Sequence, residues 1–225
     1  MKILSIDTTS EVCGVAILEN ENLLIENSIS NSLTHSENLM PLIREALEKT
    51  NTTLKDIDLI ACCTGPGSFT GIRIGVASCK AMSEVNQIKV AEVTSLEGLA
   101  KNIKNQSTTK VALIDARNNQ CYAGIFDNDI NLEEEYIADD INVILDKLAK
   151  YQDITFVGNG AELHKNLILE KISNDKFAEN NVQNAYSCGL IGLKKFNENK
   201  FETADTILPN YLRQSQAERL KKQEE

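Results

Sequence analysis

The chain has 225 residues, 42% hydrophobic and 25% charged. No apolar run approaches the ~18 residues a bilayer span needs, so it reads as a globular protein of one large or two small domains. A formal charge of −10 repels phosphate backbones and argues against unaided tight binding to nucleic acid, so an RNA role would run through a basic partner. The six cysteines, at 13, 62, 63, 79, 121 and 188, form no C-x-x-C pair and sit in apolar runs, which reads as reduced core thiols rather than disulfides or a zinc site.

The first residues, "MKILSIDTTSE", carry one Lys and then Asp7 inside what would be the apolar region of a signal peptide, so a cytoplasmic protein is expected. "ILSIDTTSEVCGVAIL" (3–18) reads as strand, polar turn, strand, with Asp7 before Thr8 and Thr9 placed to cap the turn. A third strand is expected over 23–29 and a helix over 34–50, started by Thr34 or Ser36, with Pro41 near enough to the first turn to be tolerated. In that helix Leu39, Met40, Leu42, Ile43, Ala46 and Leu47 cover more of the circumference than one buried stripe requires, which predicts an exposed apolar face for a partner.

The buried strand "IDLIACC" then runs into "TGPGSFTGIRIG" (64–75). This stretch fails three templates. Ile72 and Arg73 follow Gly71 where a P-loop needs Lys and Ser or Thr, Thr70 stands where a dinucleotide fingerprint needs glycine, and Pro66 and Thr70 flank Ser68 where a nucleophile elbow needs glycines. Ser68 is therefore read as the N-cap of a helix over 68–84. Along that helix Gly71, Gly75 and Cys79 recur every four residues, with Phe69, Ile72 and Val76 beside them. Two interior glycines cost roughly 1.5–2 kcal/mol relative to alanine, so something must approach the strip closely. A partner's helix and the chain's own sheet both account for that; the over-apolar helix 34–50 favours the partner, with Arg73 at the rim.

Beyond residue 105 the pattern repeats. "VALIDARNNQCYAGIF" (111–126) aligns without gaps on 3–18, and "QDITFVGNG" resembles "DIDLIACCTGPG". Strand 133–138, helix 139–150 and helix 160–173 complete a second βββαβα unit, with halves of 1–105 and 106–225. His35 and His164, the two histidines, lack helical ligand spacing and are expected on the surface. Arg213, Arg219, Lys221 and Lys222 form a candidate basic patch on a last helix.

"ILSIDTTSEVCGVAIL", "HSENLMPLI", "TGPGSFTGIRIGVA", "VTSLEGLA", "DARNNQCYAGIF" and "LPNYLRQSQAE" together resemble the bacterial TsaB (YeaZ) family along nearly the whole chain. The resemblance implies an α/β fold of actin-like (ASKHA, ribonuclease H-like) type with two duplicated domains. It implies a non-catalytic subunit required for threonylcarbamoyl transfer from threonylcarbamoyl-AMP to N6 of the tRNA adenosine 3′ of the anticodon. The partners it implies are a TsaD-like subunit that holds the metal, a TsaE-like ATPase and tRNA through the complex, with self-pairing competing for the same helices. Neither a metal nor a catalytic residue is expected in the chain itself, and ATP or ADP only at the interface of the complex. Active actin-like phosphotransferases present Asp-x-Gly-x-Thr loops; here Asp7-Thr8-Thr9 and Asp115-Ala116-Arg117 lack the glycine. Asp7, Thr8 and Thr9 would still lie nearest any nucleotide. An ATPase or small-molecule kinase, or a metallopeptidase homologue of the M22 type, is the alternative. The segment Asn118, Asn119, Gln120 departs from the charged or small residues common in the family and leaves the 117–122 loop unassigned.

Overall fold

The computed structural model describes residues 1–30, 34–104, 108–172 and 176–212, so the basic residues proposed for the last helix lie outside the described residues. In chain order the first part comprises β1 (Lys2–Asp7), β2 (Cys13–Glu19), β3 (Asn22–Ile29), α1 (His35–Lys49), β4 (Leu59–Gly65), α2 (Phe69–Asn86), β5 (Lys89–Thr94) and α3 (Ser95–Lys101). The second comprises β6 (Thr109–Asp115), β7 (Gln120–Phe126), β8 (Ile137–Asp140), α4 (Ile141–Leu148), β9 (Ile154–Val157), α5 (Asn159–Leu163), α6 (Lys165–Lys171), β10 (Lys176–Phe177) and α7 (Ala185–Asn197).

The two five-stranded sheets have orders β3-β2-β1-β4-β5 and β10-β9-β6-β7-β8. In each, an antiparallel hairpin takes a third antiparallel strand on one side and two parallel strands on the other. This is the duplication expected from the internal repeat, in the actin-like arrangement that the resemblance implies. The gap-free alignment conceals one difference: Asp7 pairs with Gly14 in the first hairpin, whereas Asp115 pairs with Cys121, the counterpart of Cys13, in the second. The second turn is thus tighter.

Local sequence sets the helix starts. The Thr34 N–H donates to Glu37 Oε2 at 3.0 Å, half of a capping box that starts α1, and Pro41 lies within it. Ser68 Oγ accepts from the Gly71 N–H at 3.2 Å and caps α2, as expected. Three expectations shift. The strand expected at 133–138 forms at Ile137–Asp140, the helix expected at 160–173 is broken at His164 into α5 and α6, and each sheet gains a fifth strand. Both histidines are half-buried rather than on the surface, and His35 Nε2 donates to Ser10 O at 2.8 Å.

One face of the first sheet is covered by α1 and α2, whose Leu39, Ile43, Ile72 and Val76 meet Leu4, Ile6, Val15 and Ile60. The opposite face is covered by α7, from the far end of the chain. Gly192 lies so near the sheet that a Cβ there would stand 2.5 Å from that of Ala61. The core under α7 joins Ile3, Leu18 and Ala91 through Leu96 and Leu99 of α3 to Ala112, Ile114 and Phe126 of the second sheet. A cut at 105/106 separates the two sheets, but residues 106–225 supply a helical layer of the first. Lys195 of α7 adds a partly buried ion pair to Glu97 of α3 at 2.8 Å.

Candidate functional site

β1 ends at the turn that would lie nearest a nucleotide. Asp7 Oδ1 accepts from the Thr9 N–H at 2.8 Å and from Thr9 Oγ1 at 2.7 Å, so the carboxylate caps its own turn. Ser95 Oγ donates to Thr9 Oγ1 at 2.8 Å and lies 3.3 Å from Cys63 Sγ. Asp7, Thr8 and Thr9 are all buried. Burial pushes the Asp7 carboxyl above its ordinary range, while the two bonds from Thr9, the Cys63 thiol and the charge of His35 pull it back. The six cysteines are free and buried, in keeping with core thiols; burial above all raises Cys13 to about 11 and Cys121 to about 12.

The glycine-rich turn seals this place. Ser68 N–H donates to Thr9 O at 2.8 Å, and Thr8 Oγ1 donates to Gly71 O at 2.7 Å. A Cβ on Gly67 would overlap Thr9 O, one on Gly71 would overlap Thr8 O, and one on Gly75 would lie 2.5 Å from Thr8 Oγ1. The glycines thus admit the β1–β2 turn of the same chain, which corrects the expectation that they admit a partner's helix. The second half repeats the device: Asp115 Oδ1 accepts from the Arg117 N–H at 2.9 Å, the Asp115 N–H donates to Asn159 Oδ1 at 3.0 Å, and a Cβ on Gly158 or Gly160 would crowd the Leu113–Asp115 backbone.

Of the expected interface residues, Leu39, Ile43, Gly71, Ile72, Gly75, Val76 and Cys79 are inside the monomer. The physical reason is that both helices turn their continuous i, i+3, i+4 stripe to the sheet, whose two-sided apolar strands need a cover on that face. Met40 is 50% exposed, Arg73 is exposed, and Leu47 and Phe69 are half-buried. Phe69 stacks on Tyr211 with ring centroids 4.5 Å apart, and Arg73 Nε donates to Tyr211 OH at 2.8 Å.

The outward face of α2 carries residues that the sequence reading passed over: half-buried Ile74, exposed Ala77 and Ala81, and Val85, which is 81% exposed. They recur at helical spacing, so the signal was present, but α2 is apolar on both sides and the glycines drew the reading to the wrong one. Small apolar side chains on an outer helix face allow another helix to approach closely. Among the described residues no group of three or more His, Cys, Asp or Glu is placed to hold a metal ion, and no helix is long and apolar enough to cross a membrane.

Residues 26–221 match the family model described as TsaD: tRNA N6-adenosine threonylcarbamoyltransferase. The chain is 30% identical to the tRNA threonylcarbamoyladenosine biosynthesis protein TsaB of Bacillus subtilis, over 97% of this chain and 96% of that one. In structure it is similar to a Pseudomonas aeruginosa protein described as having similarity to peptidase YEAZ, with a TM-score of 0.80 at 24% identity, covering 94% of this chain and 99% of that one. It also shares its fold with the activator of 2-hydroxyisocaproyl-CoA dehydratase from Clostridium difficile, at a TM-score of 0.54 and 10% identity, covering 89% and 97% of the two chains.

Proposed function

Because the chain belongs to the TsaB (YeaZ) family and takes part in tRNA threonylcarbamoyladenosine biosynthesis, we propose that it is the non-catalytic subunit of that reaction, seated on a TsaD-like catalytic subunit and working with a TsaE-like ATPase. What supports a non-catalytic role is the sealing of the β1–β2 turn, where Asp7, Thr8 and Thr9 are buried, and the capping of the second strand end by its own Asp115. Where an actin-like phosphotransferase opens a cradle for phosphate, Thr8 and Thr9 are packed on Gly67, Gly71 and Gly75, and the Thr9, Ser68 and Gly71 N–H groups are spent within the chain. ATP or ADP would then bind at the interface of the complex. The partner surface assigned here is the outward face of α1 and α2, with Met40, Ile74, Ala77, Ala81 and Val85 as contacts. A second copy of the chain competes for the same face, and tRNA is met through the complex.

The test uses the full chain with a TsaD-like and a TsaE-like subunit, ATP, threonylcarbamoyl-AMP and tRNA, reading the modified nucleoside. Val85→Glu and Ala81→Glu alter exposed positions, so the circular dichroism spectrum and melting temperature should stay unchanged while co-purification with the TsaD-like subunit falls at least tenfold. Robust ATP hydrolysis or tRNA modification by the chain alone would overturn the non-catalytic reading. Intact co-purification of both variants would overturn the assignment of the face.

A further inference from the structure

β3 leaves an open edge on the first sheet. It is the outer strand of that sheet, and residues 22–29 contain no Lys, Arg or Pro, the residues that commonly blunt such an edge. The direction of its backbone groups follows from one bond. The Asn20 N–H donates to Met1 O at 2.8 Å, so the alternation of an antiparallel strand turns Gly14, Ala16 and Leu18 of β2 towards β1, and Cys13, Val15 and Ile17 towards β3. Their partners Ile29, Asn27 and Ile25 spend their N–H and C=O groups inside the sheet. Those of Glu26 and Ser28 point outward.

The side chains along this edge are symmetric about Asn27. On the face under α1 the row is Ile25, Asn27, Ile29, all half-buried, with both isoleucines packed on the core; on the other face Glu26 and Ser28 are exposed. Glu26 Oε1 accepts from the Tyr186 N–H at 2.9 Å, which leaves its second oxygen for another donor. Asn27 Nδ2 is buried and has no hydrogen-bond partner among the described residues. A buried amide donor left unpaired is costly, and it marks a place where a partner is missing.

We propose that β3 pairs antiparallel with β3 of a second copy of the chain, about a two-fold axis through Asn27, and joins two copies of the first sheet into one continuous sheet. In that register Glu26 lies opposite the copy's Ser28 on both sides of the axis, and each such pair exchanges its outward N–H and C=O groups. Asn27 faces Asn27 in the closely spaced pair between them, where a turn of the two side chains lets the amides bond each other. Ile25 faces Ile29, apolar on apolar. Neighbouring registers fail: an axis at Glu26 sets carboxylate against carboxylate, and an axis at Ser28 sets Asn27 against Ile29 and leaves the amide unpaired. A symmetric row with one acceptable register selects the chain itself rather than an unrelated strand. Because α2 lies over β4 and β5, at the other side of the sheet, its outward face stays open, and the pairing is independent of the partner assigned there.

The experiment follows mass against concentration by analytical ultracentrifugation, using the full chain with Val85→Glu to remove self-pairing through the helices. This chain should still dimerise reversibly, and the amides of Glu26 and Ser28 should exchange hydrogen more slowly as concentration rises. Ser28→Pro deletes an N–H directed away from the sheet, so the melting temperature of dilute protein should hold while dimerisation weakens at least tenfold. Ser28→Glu opposes Glu26 and should weaken it about fivefold; Ser28→Lys should strengthen it by a similar factor. Should Ser28→Pro unfold, the opposite signs of the glutamate and lysine variants decide. A monomer at every concentration, a dimer indifferent to the Ser28 variants, or protection confined to other amides overturns the proposal. None of these readouts uses the TsaD-like subunit, so this pairing and the assignment of the helical face fail separately.

Discussion

Asp7 is a carboxylate kept in the core for its geometry rather than its charge. Its folded pKa is raised, chiefly by burial, so between the unfolded and folded values the native state holds more protons than the unfolded chain, and stability falls as pH rises through that window. Both bonds from Thr9 end on Oδ1, an oxygen that asparagine also has. Asp7→Asn should therefore keep the cap, remove the buried charge and melt higher than wild type at pH 7, with the difference shrinking as pH falls towards 4. Thermal melts across pH 4–8 measure this, and an Asp7→Asn chain less stable at pH 7 would mean that the ionised carboxylate serves the fold. The turn-capping role was legible in "IDTTSE", because an Asp before two threonines has donors two residues on. The burial was not, because it comes from a turn sixty residues away.

Helix α2 shows where reading by element succeeds and where it stops. Its start was legible from Ser68, and the cost of two interior glycines announced a close approach. The direction of that approach was hidden, since the helix carries apolar or small residues both on the glycine side and along Ile74, Ala77, Ala81 and Val85, with Arg73, Lys80 and Glu84 confined to one narrow arc. The structure now ranks the glycines by what their Cβ would meet. Gly71→Ala drives a methyl into the Thr8 carbonyl and should destabilise the chain by about 1–3 kcal/mol, more than any gain in helix propensity. Gly75→Ala meets a rotatable hydroxyl and should cost less. Gly98 of α3 faces nothing within 4 Å, so Gly98→Ala should stabilise by about 0.5–1 kcal/mol. Denaturant titration of the three variants gives the order, and a Gly71→Ala chain as stable as wild type would contradict the seating of α2 on Thr8. The missed elements have equally local reasons. β10 is two residues long, too short for any period, and α7 contains Gly189 and Gly192, which weaken a helical reading unless the sheet they lie against is known.

The whole molecule is two sheets laced by a helix that returns to the wrong half. The internal repeat made the duplication legible, but no sequence period records which sheet a distant helix covers. Because α7 closes the face carrying Ile3, Leu18, Ala61 and Ala91, the fragment 1–105 should fold incompletely, bind a hydrophobic dye and melt without a sharp transition, whereas the full chain melts in one step. Dye fluorescence and calorimetry on both decide it; a fragment 1–105 with a sharp melt and no dye binding would show the first sheet to be self-sufficient. The return of α7 also has a consequence in time. During synthesis the first sheet emerges with one face bare, and the residues that cover it are made only after some ninety more have been added, roughly 5–18 s later at ordinary ribosomal rates. For that interval the nascent chain presents a sticky surface to every chaperone and neighbouring polysome, and its escape from misassembly depends on how fast translation reaches Ala185.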